Sequence, residues 1–285
     1  MRTLLICHHD VPLIREGLPL WLNSFSDLAG VIVLRDNRTQ VQKRARRQLE
    51  REGVLRFTDL LLMRLWYRLR WASRDTRWQA ARLQELRTQY AAPTPPVPLL
   101  ETSQPNGGAA EQFIAQARPD VILACCKHIL KPRIFEQART GTFVMHPGIV
   151  PEYRNAHGCF WALVHGDLGR VGMSLLKIDA GIDTGPVYGY FTTPVNEWTE
   201  SHIGIQRRMT FENLPAIAER LVEIHNGTAR PIPTAGRPSA EWGQPTLSAY
   251  LRWKWDALRR GRREAGGTLN LPQNVQTGFE FPAVR

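Results

Sequence analysis

Two side chains that could take part in catalysis lie in loops beside predicted strands. His146 follows a short apolar run and comes directly before Pro147-Gly148, and Asp183 lies in a glycine-containing loop between two further apolar runs. An imidazole and a carboxylate held close together can bind and relay protons at a reacting group. His146 and Asp183 are therefore candidates for catalysis.

Apolar strands that alternate with helices must position these residues. Arg2 to His8, Leu28 to Leu34, Val121 to Cys125 and Thr142 to Met145 read as buried strands. Short, fully apolar runs separated by helical segments predict a three-layer α/β domain with a mainly parallel sheet. In such sheets functional groups collect where the strands end, which agrees with the positions of both candidates.

Residues 38–90 interrupt this alternation. They are rich in Arg, Leu and Trp, and residues 41–90 hold thirteen Arg and Lys against five acids. The helical period of the leucines predicts a basic helical insertion with one apolar stripe buried and the rest solvated. A basic surface also attracts nucleic acid or an anionic membrane, so a binding role for 41–90 stays as a minor alternative.

The remaining boundaries follow from composition. We predict a catalytic domain over 1–225 that ends in a helix from Ser201 to His225, with Thr199 or Ser201 as its cap. Residues 226–260 are expected to form a short extension with a last helix from Leu247 to Arg260, and 261–285 a flexible tail.

Bulk properties exclude several classes of protein. Hydrophobic residues make up 43% and charged residues 22%, and no apolar run has the roughly 20 residues of a membrane span. We expect a cytoplasmic protein. The four cysteines show no metal-binding spacing, and adjacent residues such as His8 and His9 on a strand point apart, so we expect no metal site.

Three separated motifs together resemble the formyltransferase superfamily, which includes methionyl-tRNA and glycinamide ribonucleotide formyltransferases. They are I-L-K-P (129–132), H-P-G-I-V-P-E-Y-R (146–154) with R-N-A-H-G-C-F-W-A-L-V (154–164), and D-A-G-I-D-T-G (179–185). The resemblance implies a Rossmann-like formyltransferase fold and formyl transfer from 10-formyltetrahydrofolate to an amine. His146 and Asp183 match the family histidine and aspartate, so the resemblance implies that the two act together in catalysis. Asp179 fits the family pattern less well and is the second choice for the acid. Main-chain groups that hold the pterin ring would lie at His128, Leu130, Ala180 and Ile182.

One position departs from the family pattern. The family asparagine two residues before the histidine is Val144 here, whose side chain forms no hydrogen bond. Losing one preorganised oxyanion donor costs about 100- to 1,000-fold in rate. Asn155, His157 or Lys127 would have to substitute in binding the substrate. Otherwise the protein is an altered or inactive folate- or metabolite-binding protein, or a hydrolase of the formyl donor.

Two features that the sequence lacks restrict which amine could be the substrate. The loop His8-His9-Asp10 after the first strand has no glycine until Gly17, which disfavours a backbone phosphate cradle and hence glycinamide ribonucleotide. Strand signals after residue 226 are too few for the β-barrel of methionyl-tRNA formyltransferases. We therefore expect a small amine, such as an amino sugar or a biosynthetic intermediate.

Overall fold

The computed structural model describes residues 1–265 as a three-layer α/β fold. The strands are β1 (Arg2–His8), β2 (Asp27–Leu34), β3 (Leu99–Thr102), β4 (Val121–Cys125), β5 (Gly141–His146), β6 (Arg154–Asn155), β7 (Met173–Lys177), β8 (Val187–Phe191) and β9 (Glu241–Trp242). The helices are α1 (Leu18–Asn23), α2 (Arg38–Arg70), α3 (Ala72–Gln89), α4 (Gly108–Ala117), α5 (Pro132–Phe135), α6 (Gly158–Val164), α7 (His202–Phe211), α8 (Leu214–His225) and α9 (Leu247–Ala265).

The main sheet has the order β3-β2-β1-β4-β5-β7-β8. The strands from β3 to β5 pair in parallel, and β7 and β8 add antiparallel to β5. The central residues of β1, β2 and β4 are apolar, as expected for strands of a sheet that helices cover on both faces. The predicted α/β class with a mainly parallel sheet is confirmed.

The helical insertion packs into the larger core. Asn37 caps α2 through a reciprocal pair of hydrogen bonds with Gln40, and Gly53 kinks that helix at φ 75°. Leu83 and Leu86 of α3 are buried against the helical segment around Gly17, which follows β1. Asp75 of α3 accepts a hydrogen bond from Ser201, so the insertion is fastened to the start of α7.

Two predicted helices at the C-terminal end have different bounds. The stretch from Ser201 to His225 is two helices, α7 and α8, because Pro215 lacks the N–H that would continue the first. Ser201 caps α7 by accepting from the Gly204 N–H. Helix α9 continues to Ala265 and is held by the ion pair of Arg260 with Glu197, so 261–265 do not belong to the expected tail. Residues 266–285 lie outside the described residues.

Candidate functional site

His146 is the last residue of β5 and is almost wholly buried, with 3% exposure. Its Nε2 donates to the carbonyl oxygen of Tyr153 at 2.8 Å, and its Nδ1 lies 3.3 Å from Oδ2 of Asp183. Each ring nitrogen therefore faces an acceptor, an arrangement that a doubly protonated imidazolium satisfies fully. The structure thus brings the two residues of the predicted pair into direct contact.

Asp183 reaches His146 from the connection between β7 and β8, residues 178–186. Oδ2 of Asp183 also accepts from the backbone N–H of Asn155 at 2.8 Å. The residues that precede Asn155 and Asp183 are also joined, because the Arg154 guanidinium donates to the Ile182 carbonyl at 2.9 Å. These two contacts join the segment that follows His146 to the loop that carries the acid, so they set the separation of the pair.

Backbone strain is concentrated around this contact. Asn155, His157 and Asp183 have φ values of 74°, 55° and 51°, and Arg118 is the other non-glycine residue with positive φ among residues 1–265. Such conformations cost about 1 to 3 kcal/mol each and persist where the surroundings impose them. Their clustering here fits a functional site, because strain of this kind is common where side chains must be aimed.

Asp179, the second choice for the acid, has a different task. Its carboxylate accepts from the Gly181 N–H at 3.0 Å and from the Thr184 hydroxyl at 2.8 Å. Both partners belong to the same loop, so Asp179 shapes the loop by a local side chain–backbone turn. The structure brings Asp183, rather than Asp179, to the histidine.

The turn after His146 leaves no room for larger residues. A Cβ on Gly148 would lie 2.5 Å from the Tyr153 carbonyl oxygen and 2.9 Å from Nε2 of His146. A Cβ on Gly158 would lie 2.5 Å from Cα of Gly148. Ser174 of β7 fixes the same turn by donating to the Gly148 carbonyl at 2.7 Å. The close approach of these backbones therefore requires glycine at both positions.

Val144 lies two residues before His146 on the same strand, where alternation places both side chains on one face. Val144 packs against the small apolar cluster of Val150, Leu176 and Val187. This surrounding suits an aliphatic side chain, and valine itself donates no hydrogen bond through its side chain. A substitute donor must therefore come from another segment.

The three expected substitutes are placed differently. Asn155 is exposed beside the pair and contributes its backbone N–H to Asp183. Nδ1 of His157 is 3.0 Å from the Gln206 side-chain nitrogen, and burial lowers the pKa of His157 to about 4, so its ring is neutral near pH 7. Lys127 pairs with Asp10 at 3.0 Å and is largely exposed. Asn155 is thus the one that touches the pair directly.

The positions expected to hold the pterin ring lie on two loops. Ala180 is exposed, while the Ile182 carbonyl is already bonded to Arg154. Leu130 is buried, and Ile129 beside it is 74% exposed. Exposed peptide groups on the loop before Asp183 can form hydrogen bonds to the polar edge of a planar ring. The Ile182 carbonyl could do so only after its hydrogen bond from Arg154 breaks.

Arg207 of α7 is a residue that the sequence analysis missed. Its side chain is half-buried, and burial lowers its pKa. It lies near Asp10, Cys125 and Tyr67, yet none of the described carboxylates forms an ion pair with it. No local sequence pattern marks this residue, because Arg207 is one of several arginines in a helix and its burial depends on β4 and α2.

His8, Asp36 and His128 form a group with metal-ligating atoms within 4.8 Å of one another. Burial and nearby cations lower the pKa of both histidines, while the Arg44 hydrogen bond lowers that of Asp36. However, the Arg44 guanidinium donates to both oxygens of Asp36 and contacts Nε2 of His128 at 2.7 Å. Lys127 N–H also donates to Nε2 of His8. Arg44 therefore already supplies the positive charge that this group attracts.

Comparisons with known proteins show the family of the chain. A family model described as formyl transferase matches residues 78–221. The methionyl-tRNA formyltransferase of Sorangium cellulosum is 34% identical over 171 residues, which cover 59% of this chain and 52% of that protein. The one from Thermus thermophilus is 27% identical over 136 residues, which cover 47% and 44%. The chain thus matches about half the length of these curated relatives.

Solved structures show the same fold. A phosphoribosylglycinamide formyltransferase from Anaplasma phagocytophilum has a TM-score of 0.51 at 12% identity, covering 86% of this chain and 99% of that chain. A 4-N formyltransferase from Francisella tularensis has a TM-score of 0.50 at 12% identity, covering 88% and 87%. At such identities the likeness concerns the fold alone.

Proposed function

Because the chain belongs to the formyl transferase family, we propose that it transfers a formyl group from 10-formyltetrahydrofolate to the amine of a small molecule. The observation that carries the proposal is the direct contact of His146 with Asp183 at 3.3 Å. It supports acyl-transfer chemistry because the reaction must both remove a proton from the amine and stabilise a developing negative charge.

The proposed reaction assigns one role to each member of the pair. The amine lone pair forms a bond to the formyl carbon, and the carbonyl oxygen becomes an oxyanion. Asp183 is the more exposed member, with a side chain 17% accessible, and would accept the proton that the attacking nitrogen loses. The bond from the formyl carbon to N10 of the folate then breaks, and N10 takes up a proton.

His146 would act on the charges of this reaction from a buried position. Its imidazolium form would balance the Asp183 carboxylate and provide positive charge close to the oxyanion. A direct hydrogen bond from its ring to the oxyanion would require Nε2 to leave the Tyr153 carbonyl.

The half-buried side chain of Arg207 supports a negatively charged acceptor. A half-buried cation without an ion-pair partner is stabilised when a ligand supplies the opposite charge. Lys127 lies at the same end of β4, where its amino group is paired with Asp10 at 3.0 Å. We therefore propose an acceptor that joins its amine to a phosphate or carboxylate, such as a phosphorylated amino sugar.

A first experiment measures donor binding by calorimetry with 5-formyltetrahydrofolate, a stable mimic of the donor. Wild type should bind, and Asp183→Ala should bind more weakly. A panel of phosphorylated amino sugars with 10-formyltetrahydrofolate should then yield one formylated product per donor consumed. Absence of both binding and donor consumption would overturn the proposal.

Val144 favours a second candidate, a folate- or metabolite-binding protein without transferase activity. Its apolar surroundings leave the position of the family asparagine without a side-chain donor. Donor binding without turnover on the whole panel would favour this candidate. Formate released without a formylated amine would instead identify a hydrolase, so product analysis separates the three outcomes.

A further inference from the structure

The second half of α2 is apolar on two opposite sides. Leu60 and Met63 are buried against the core. On the far side, large side chains face outward, with Leu55 at 89% and Leu69 at 76% exposure. Leu62, Leu65 and Trp66 share that outer side by helical spacing. The sequence pattern predicted one buried apolar stripe, and the structure shows that a second stripe remains uncovered by the described residues.

Helix α9 extends this outer surface. It lies beside α2, since the Trp66 and Tyr250 rings are 6.3 Å apart and the Ser248 N–H donates to Asp59. Its own outward side chains include Trp255 at 57% exposure. We call the exposed side chains of α2 together with Leu251, Trp255 and Leu258 of α9 the apolar face. Exposed apolar surfaces of this kind mark an interaction site.

Arginines surround the apolar face. Arg68 and Arg70 flank it on α2, and Arg252 and Arg259 flank it on α9. None of these four forms an ion pair with a carboxylate among residues 1–265. The one acid in the second half of α2, Asp59, is bound to Ser248. A partner must therefore offer an apolar interior together with negative charge at its surface.

We propose that the apolar face docks on an anionic lipid bilayer. Leucine and tryptophan side chains would enter the boundary between headgroups and acyl chains, and the arginines would contact the anionic headgroups. A symmetric contact with a second copy would instead bring arginines together, without acids to balance them. Nucleic acid is disfavoured because the centre of the face is aliphatic rather than cationic. No described helix is long and apolar enough to cross the bilayer, so α2 and α9 would lie on its surface.

The test is co-sedimentation with vesicles of phosphatidylcholine alone and of phosphatidylcholine containing phosphatidylglycerol. Wild type should bind the anionic vesicles strongly and the neutral ones weakly, and added salt should reduce binding. Arg68→Gln with Arg252→Gln should weaken binding about 30-fold, because each arginine near an anionic surface contributes roughly fivefold. Leu65→Asp with Leu69→Asp should weaken it about 100-fold or more.

Leu99→Asp is the matched control, because Leu99 is an equally exposed leucine on the edge strand β3. It should bind vesicles as wild type does, and all variants should keep the wild-type melting temperature. Equal binding by the Leu65→Asp/Leu69→Asp variant and wild type would overturn the proposal. The proposal is also overturned if wild type binds neither kind of vesicle. In that case a dimer disrupted by the leucine substitutions would identify a second copy as the partner, and binding to RNA or DNA would identify nucleic acid.

Discussion

Replacing Asp183 by asparagine tests the His146–Asp183 contact with little steric change. Asparagine tolerates the left-handed backbone at φ 51° and can still accept the Asn155 N–H. Only the negative charge 3.3 Å from Nδ1 of His146 is lost. At an effective dielectric constant of about 20, two unit charges at that distance attract each other by about 5 kcal/mol.

That energy is an upper bound on what the charge contributes to the transition state. Proton transfer by a positioned group contributes about 100- to 10,000-fold. We therefore expect Asp183→Asn to lower kcat by about 1,000-fold while the acceptor KM changes little. The assay is steady-state formation of the formylated product with the acceptor that the panel identifies, alongside calorimetry with 5-formyltetrahydrofolate.

The matched control is Asp179→Asn, which removes a charge from the same loop and keeps an acceptor for Gly181 and Thr184. It should retain kcat within about threefold. The reasoning is refuted if Asp183→Asn keeps kcat within about threefold of wild type, or if Asp179→Asn loses as much activity as Asp183→Asn.

Three further predictions concern the surroundings of the pair. Gly148→Ala should lower the free energy of unfolding by about 1 to 3 kcal/mol, because its Cβ would meet a backbone oxygen at 2.5 Å. Gly169→Ala, where a Cβ has no neighbour within 4 Å, should show no such loss in the same denaturation assay. Arg207→Gln should raise the acceptor KM roughly 10- to 100-fold without weakening donor binding or stability, since it removes a charged hydrogen-bond donor that lacks a described acid partner. Equal donor and acceptor effects would refute that role. Because burial lowers the pKa of His157 to about 4, the unfolded chain takes up a proton first as the pH falls below 6.5. Stability should therefore decrease by up to about 3 kcal/mol between pH 6.5 and 4, and His157→Gln should reduce this decrease in urea titrations.

The sequence predicted much of the fold because its signals are local. Fully apolar runs such as those of β1 and β4 need burial on both faces, which requires helices on both sides of the sheet. The end of α7 was missed because Pro215 was not weighed against a helical pattern that continues across it. The length of α9 was underestimated because its last turns depend on a contact of Arg260 with the distant Glu197.

For the site, residue types and motifs were enough to predict which side chains could do chemistry and which superfamily the motifs resemble. His146 and Asp183 were found because their residue types and neighbouring glycines and prolines are visible in one dimension. Their contact was decided only by the tertiary structure, since β7 runs antiparallel to β5 and the following loop must fold back to reach the histidine. The burial of Arg207 and the second apolar side of α2 were likewise decided there. Burial depends on which segments pack together, and residues far apart in the chain provide that packing.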